Sequence, residues 1–175
     1  MSGSDSDPPE YRGARLRVRR ERHALPDGRR VWLDAVRVPA VAYILPLLDD
    51  GRVVLIRQYR PLVGAQIWEL PAGTIEAGES PEACARRELV EEAGYEAGRL
   101  EPLGEALADP GLTDERIFLF VARDLQPVAR ALDADEHIEV VLTTLAEAYH
   151  MADAGEILDA GTLLALFRLR SRADA

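Results

Sequence analysis

The chain has 175 residues, 47 % hydrophobic and 30 % charged, which is the composition of a globular protein long enough to bury a core of its own. Its net charge of −10 argues against a polymeric nucleic-acid substrate, whose binders carry a basic stripe and a high pI. No apolar run approaches a membrane span, and a single cysteine, Cys84, excludes an internal disulfide or a Cys-based zinc site, so reduced cytoplasm is the simplest setting.

In chain order, Met1 to Glu10 is rich in Ser, Asp and Pro, lacks the apolar core of a signal peptide and reads as a disordered tail. Residues 11–175 read as one domain. Leu16 to Leu25 and Val31 to Val38 alternate like strands, with Pro26-Asp27-Gly28 as the turn between them. Arg15 to Arg22 is a basic cluster on the first of these and reads as a solvated face. Val41 to Leu48 and Arg52 to Tyr59 suggest a second strand pair folded about Asp49-Asp50-Gly51. An apolar segment, Ile67 to Pro71, precedes a helix over Pro81 to Ala93. Leu100 to Leu107 and Arg116 to Val121 are strands flanking an Asp109-Pro110-Gly111 loop, and Glu139 to Thr143 is a further short strand. Thr144 and Glu147 form a capping-box pair opening a short helix, and Thr162 to Leu169 is a final one. Strands joined largely by hairpins, with helices interspersed, predict an α+β fold with a mixed sheet.

The chemistry concentrates between Gly73 and Tyr95. Ser80 is a natural N-cap with Pro81 at the first helical position, and Gly94 is a natural C-terminal stop. On an α-helix turning about 100° per residue, Glu88, Glu91 and Glu92 fall on one arc, away from Leu89 and Ala93. Like charges so close destabilise a helix, and a hard divalent cation held by oxygen ligands offsets that; Mg²⁺ binds through a few carboxylates, waters and substrate phosphates. The alternative for an acidic run is a solvated face. The apolar segment before it and the capped helix that closes it favour the metal-assisted reading.

This stretch resembles the Nudix box, the signature of hydrolases that cleave nucleoside diphosphates linked to another moiety. Gly73, Glu79, Arg87, Glu88, Leu89, Glu91, Glu92 and Gly94 match it in register, with Tyr95 in place of the usual aliphatic residue. The resemblance narrows to ADP-ribose pyrophosphatases through Pro110-Gly111-Leu112-Thr113-Asp114-Glu115, sixteen residues past Gly94. It extends to Arg57-Gln58-Tyr59-Arg60-Pro61, to Glu69-Leu70-Pro71-Ala72-Gly73, to Leu25-Pro26-Asp27-Gly28 and to the acidic loop Asp133 to Glu136. Taken alone, Pro110-Gly111 is also an ordinary turn. GDP-mannose and flavin-dinucleotide pyrophosphatases share most of this scaffold and stay open as alternatives. A non-catalytic nucleotide sensor is a third reading, set against a box that is whole.

The resemblance implies a Nudix fold, an α/β/α sandwich with a mixed sheet between helices and the box as a loop-helix-loop unit. It implies Mg²⁺, or Mn²⁺, on Glu88, Glu91, Glu92 and the Ala72 carbonyl, and Arg87 paired with Glu79 to fix the loop to the helix. Glu91 and Glu92 would carry the catalytic metal, and Glu136 is the first candidate for the general base. Arg60 and Arg57 would neutralise phosphates through their planar donor forks, with Pro110 and Gly111 beside the substrate. It implies ADP-ribose cleaved to AMP and ribose 5-phosphate, no nucleic-acid or membrane partner, and a homodimer that exchanges N-terminal strands within residues 11–40. One departure bears on base recognition: the chain carries Val31-Trp32-Leu33-Asp34 where related enzymes run to a Glu-His-Pro segment. Trp32 would stack on the base there, or else is a core residue; Trp68 is expected in the core.

Overall fold

The computed structural model describes residues 10–130 and 137–173. Residues 1–9, most of the expected tail, lie outside it. Among the described residues ten strands form three sheets, accompanied by three α-helices. Strands β1 (Tyr11–Arg12), β2 (Arg17–Ala24) and β3 (Arg30–Arg37) make an antiparallel N-terminal sheet whose residues are largely exposed or half-buried. The body holds β4 (Val41–Pro46), β5 (Arg52–Arg60), β6 (Ala65–Glu69), β7 (Ala72–Thr74), β8 (Tyr95–Leu107), β9 (Arg116–Pro127) and β10 (Ile138–Thr144). Its sheets run β7-β4-β9-β8 and β10-β5-β6. The β4/β9 pair is parallel and the other pairs are antiparallel, so the first of these sheets is mixed.

The period-2 alternation of the central strands splits the interior into two cores. Leu45, Val53, Leu55, Leu119 and Val121 point to one side, where they meet Ala148 and Met151 of α2 (Leu145–Asp153) and Ala165, Leu166 and Leu169 of α3 (Ala160–Ala173). Ala42, Ile44, Val54, Phe120 and Ala122 point to the other side and meet Cys84 and Ala85 of α1 (Pro81–Glu88), with Leu89 and Ala93 just beyond it. Helices therefore cover both faces, as the sandwich expectation requires. Thr144 caps α2 by accepting from the Glu147 amide at 3.1 Å.

One expectation fails. Val41 to Leu48 and Arg52 to Tyr59 do not form a hairpin; a single bridge joins Leu47, just past β4, to Val53, and β4 and β5 belong to different sheets. Both strands are apolar on both faces, with Ala42, Ile44, Leu45, Val53, Val54, Leu55 and Ile56 all buried. Strands of that kind need covering layers above and below and a neighbour on each edge. Asp49-Asp50-Gly51 is therefore a corner between sheets, with Gly51 at φ 82° and its N–H on the Leu48 carbonyl at 3.0 Å.

The N-terminal sheet is tied to the body through β3. The Val36 N–H donates to the Leu112 carbonyl at 3.0 Å, and the Arg37 guanidinium bridges Asp114 at 2.8 Å and Glu21 on β2. Hydrogen bonds from Arg37, then from Arg19, hold the Glu21 carboxyl down at about 2.

Candidate active site

Helix α1 begins as its sequence directs. The Ser80 Oγ accepts from the Ala83 N–H at 3.1 Å, and Pro81 takes the first helical position. After Glu88 the backbone widens into a π-helical turn over Leu89–Ala93, closed by Gly94 at φ 75°. Turns of this type occur mostly as single inserts within α-helices, frequently at functional sites. They also invalidate an azimuth of about 100° per residue beyond Leu89, so Glu91 and Glu92 cannot be placed by simple helical counting.

Arg87 is the hub. Its Nε and Nη2 reach the two Glu79 oxygens at 3.0 and 3.1 Å, its Nη1 reaches Glu88 at 2.6 Å and Glu91 at 2.9 Å, and Nη2 also donates to the Thr74 carbonyl at 3.2 Å. Its hydrogen bond lowers the Glu79 carboxyl below the ordinary range. Loop, strand β7 and helix are thereby held by one fork of charge-assisted bonds.

Strand β7 lies directly under the helix. The Glu92 carboxylate, 3 % exposed, accepts from the Ala72 N–H at 2.8 Å. A Cβ on Gly73 would sit 1.7 Å from Glu88 Oε1, so only glycine leaves room for that carboxylate. Cys84 packs beneath, with its thiol on the Gly73 carbonyl at 3.5 Å; burial, then the nearby Glu79 and Glu88, push it up to about 12. It is a packed, unreactive thiol.

Among the described residues no three His, Cys, Asp or Glu side chains converge as a ready metal-holding group. Arg87 Nη1 donates to both Glu88 and Glu91, while Glu92 accepts from the Ala72 amide. The donor chemistry nevertheless fits a hard divalent cation, since the carboxylates and the adjoining strand carbonyls are all oxygen donors. The Gly73 cradle also leaves Glu88 space.

Other expected site residues are separated. Arg60 forms a two-bond pair with Glu69, at 2.8 and 2.5 Å, and the charge of Glu92 helps keep it protonated. Burial pushes the Glu69 carboxyl up, and Arg60 pulls it only part of the way back. Arg57 leaves the opposite face of β5 and stacks over Trp68 at 5.5 Å, away from the box. Trp68 is half-buried against the α2/α3 core. Trp32 is 47 % exposed on β3, with the Arg20 guanidinium 6.0 Å from its ring centre, which removes the core alternative for it in this chain. Pro110 and Gly111 are exposed in the loop that receives β3. Glu136 lies outside the described residues. A cavity of about 350 Å³ at the Asp49-Gly51 corner is lined by Leu47, Leu48, Arg99, Arg123 and Leu145, and holds none of the box carboxylates.

Sequence reasoning gave no role to three polar groups beside this site. Glu69 answers Arg60, and Tyr43 donates to Asp159 at 3.2 Å. Gln58 is buried between Ile56 and Arg60 on the same strand. The signal for Glu69 was the acid at the end of an apolar strand facing the Arg60 strand; Tyr43 and Asp159 are 116 residues apart and had no local signal.

Residues 36–164 match the family model described as the NUDIX domain. The chain belongs to that family. The Nudix match begins at Val36, so β1, β2 and nearly all of β3 precede it. The chain is 36 % identical over 144 residues to the ADP-ribose pyrophosphatase of Bacillus subtilis, covering 81 % of this chain and 78 % of that one. It is 41 % identical over 132 residues to the GDP-mannose pyrophosphatase of Citrobacter koseri, covering 70 % and 69 %. A crystal structure of an ADP compounds hydrolase superposes with a TM-score of 0.81 at 26 % identity, covering 99 % of this chain and 97 % of the other. The Nudix fold is thus shared well beyond the box. Among the described residues no helix is long and apolar enough to cross a membrane.

Proposed function

We propose that this Nudix protein hydrolyses the pyrophosphate of ADP-ribose to AMP and ribose 5-phosphate. The observation that carries the reading is the box itself: Glu88, Glu91 and Glu92 gathered by Arg87 over β7, in a chain similar to an ADP-ribose pyrophosphatase over most of its length. Glu88, Glu91, Glu92 and the Ala72 carbonyl would hold Mg²⁺, with Mn²⁺ as a substitute. Such an ion lowers the pKa of water and stabilises the attacking and leaving oxygens. The protein's share is positional. Glu79 and Arg87 lock the loop, Arg60 exchanges Glu69 for a phosphate, Pro110 and Gly111 border the substrate, and Glu136 takes the proton of the attacking water. Arg57, stacked on Trp68, is the weaker phosphate ligand of the two arginines. Trp32 stacks on the base from the N-terminal sheet of a second copy, which makes a homodimer part of the reading. A cytoplasmic setting accords with the lone buried thiol.

The test is product identification with purified protein and Mg²⁺ on ADP-ribose, GDP-mannose, flavin dinucleotide and NADH. Rapid release of AMP and ribose 5-phosphate, abolished by EDTA and restored by Mg²⁺, supports the reading. The 41 % identity to a GDP-mannose pyrophosphatase favours a second reading, and preferential cleavage of GDP-mannose would select it. Cleavage of nothing in the panel would leave nucleotide sensing without catalysis.

A further inference from the structure

Gln58 is 8 % exposed, and its Oε1 is fully buried without a hydrogen-bond partner among the described residues, the one such side-chain atom among them. A buried acceptor left unpaired is costly, and an apolar residue of the same shape would avoid that cost. The position of Gln58 in the sheet indicates what it waits for. In the β5/β6 register Ile56 faces Glu69, Gln58 faces Ile67 and Arg60 faces Ala65. These residues share one face with Val54, which belongs to the same core as Leu89 and Ala93, so the face is turned toward the box.

Arg60 and Glu69 start two register steps apart, about 13 Å along the strands, yet their side chains form a two-bond pair. Between them the two side chains must therefore span the Gln58–Ile67 row.

We propose that Gln58 is a specificity residue of the box-side site: when Arg60 leaves Glu69 for the pyrophosphate, it uncovers Gln58 Oε1, which accepts a hydrogen bond from a hydroxyl of the terminal sugar. The inference rests on the functional reading above. Its chemistry follows from the donor inventory of the substrate. An amide oxygen only accepts, and ionised phosphates offer no donor, so the partner is a hydroxyl or a base amine. Gln58 lies two residues from Arg60, about 7 Å along the strand. That spacing suits a sugar attached directly to a phosphate, and the base lies a further ribose away; of the two sugars, the terminal one is the assignment that the ADP comparison below tests.

The experiment compares wild type with Gln58→Met, an apolar residue of similar length, and with Gln58→Leu in case the first packs poorly. Three quantities are read: kcat and KM for ADP-ribose, the inhibition constant of ADP, which lacks the terminal sugar, and the melting temperature of the free enzyme. The expected result is a KM for ADP-ribose raised roughly tenfold, as for loss of one hydrogen bond, with kcat and the ADP constant unchanged. The melting temperature should hold or rise, because an unpaired buried acceptor has been removed. Gln58→Glu, which keeps an acceptor, should restore the preference for ADP-ribose over ADP. An unchanged KM with a lowered melting temperature would overturn the proposal and make Gln58 a structural group satisfied by a buried water. An equal rise in both constants would also overturn it, placing the contact on the adenosine side. If wild type ignores ADP-ribose, the functional reading has failed instead, and the same variants are read on the nucleotide sugar it does cleave, against the matching diphosphate.

Discussion

At the scale of single residues, the box is built so that small changes have large effects. Gly73→Ala forces a Cβ to 1.7 Å from Glu88 Oε1, and the carboxylate must leave its seat. Overpacking of this kind costs about 1–3 kcal/mol, so a urea melt should show that loss together with a fall in turnover. Glu92→Gln keeps the shape but gives up a charged oxygen donor. Its turnover should drop by more than the ~10–100-fold typical of losing an outer-shell partner of a metal ligand; near-normal kcat in Mg²⁺ would sink the role assigned to it. Trp32 is the contrast. Because it is exposed, Trp32→Ala should shift stability by less than about 0.5 kcal/mol while raising KM for ADP-ribose, and a circular-dichroism melt beside a Michaelis curve separates the two effects.

At the scale of elements, legibility followed the range of the forces involved. The capped helix and the glycine stop were readable because caps and turns act over a few residues, whereas the Arg87 to Glu79 pair was expected from the Nudix resemblance alone. The π-helical turn was not, since its extra residue answers to packing of Leu89 and Ala93 under the sheet and leaves no mark on local composition. The β4/β5 hairpin was misread for a related reason. Asp49-Asp50-Gly51 specifies a turn, but whether its flanks pair depends on neighbours far along the chain, β9 and β10. Gln58, named only as part of the Arg57 to Pro61 run, was given no role because a glutamine between polar neighbours signals nothing until its burial is known. The N-terminal sheet offers a pH test at this scale. Glu21 is depressed to about 2 from an ordinary 4.5, chiefly by Arg37. A carboxylate depressed in the folded state contributes stability that is complete above its unfolded value and is lost as pH falls toward the folded one. The sheet should therefore loosen between about pH 4.5 and 2. Trp32 fluorescence in a Trp68→Phe background should report that change, and Glu21→Gln should loosen the sheet at neutral pH.

At the scale of the whole molecule, charge is unevenly shared. Residues 10–37 hold nine arginines against four acids, a net charge of +5 in a chain whose total is −10. A basic sheet on an acidic body suits association between copies, and if the proposed homodimer forms, light scattering should show it weakening as salt screens the two surfaces. The buried thiol has a last consequence for such a molecule. Cys84 is the sole thiol, it is 0 % exposed, and it sits beneath the Gly73 strand. A thiol-modifying dye can reach it only in those moments when the helix lifts from that strand. The rate of its labelling is thus a clock for breathing of the box, readable in the unmodified protein with no introduced probe. A bound divalent ion that ties Glu88 and Glu92 to the strand should slow that clock before any substrate is present.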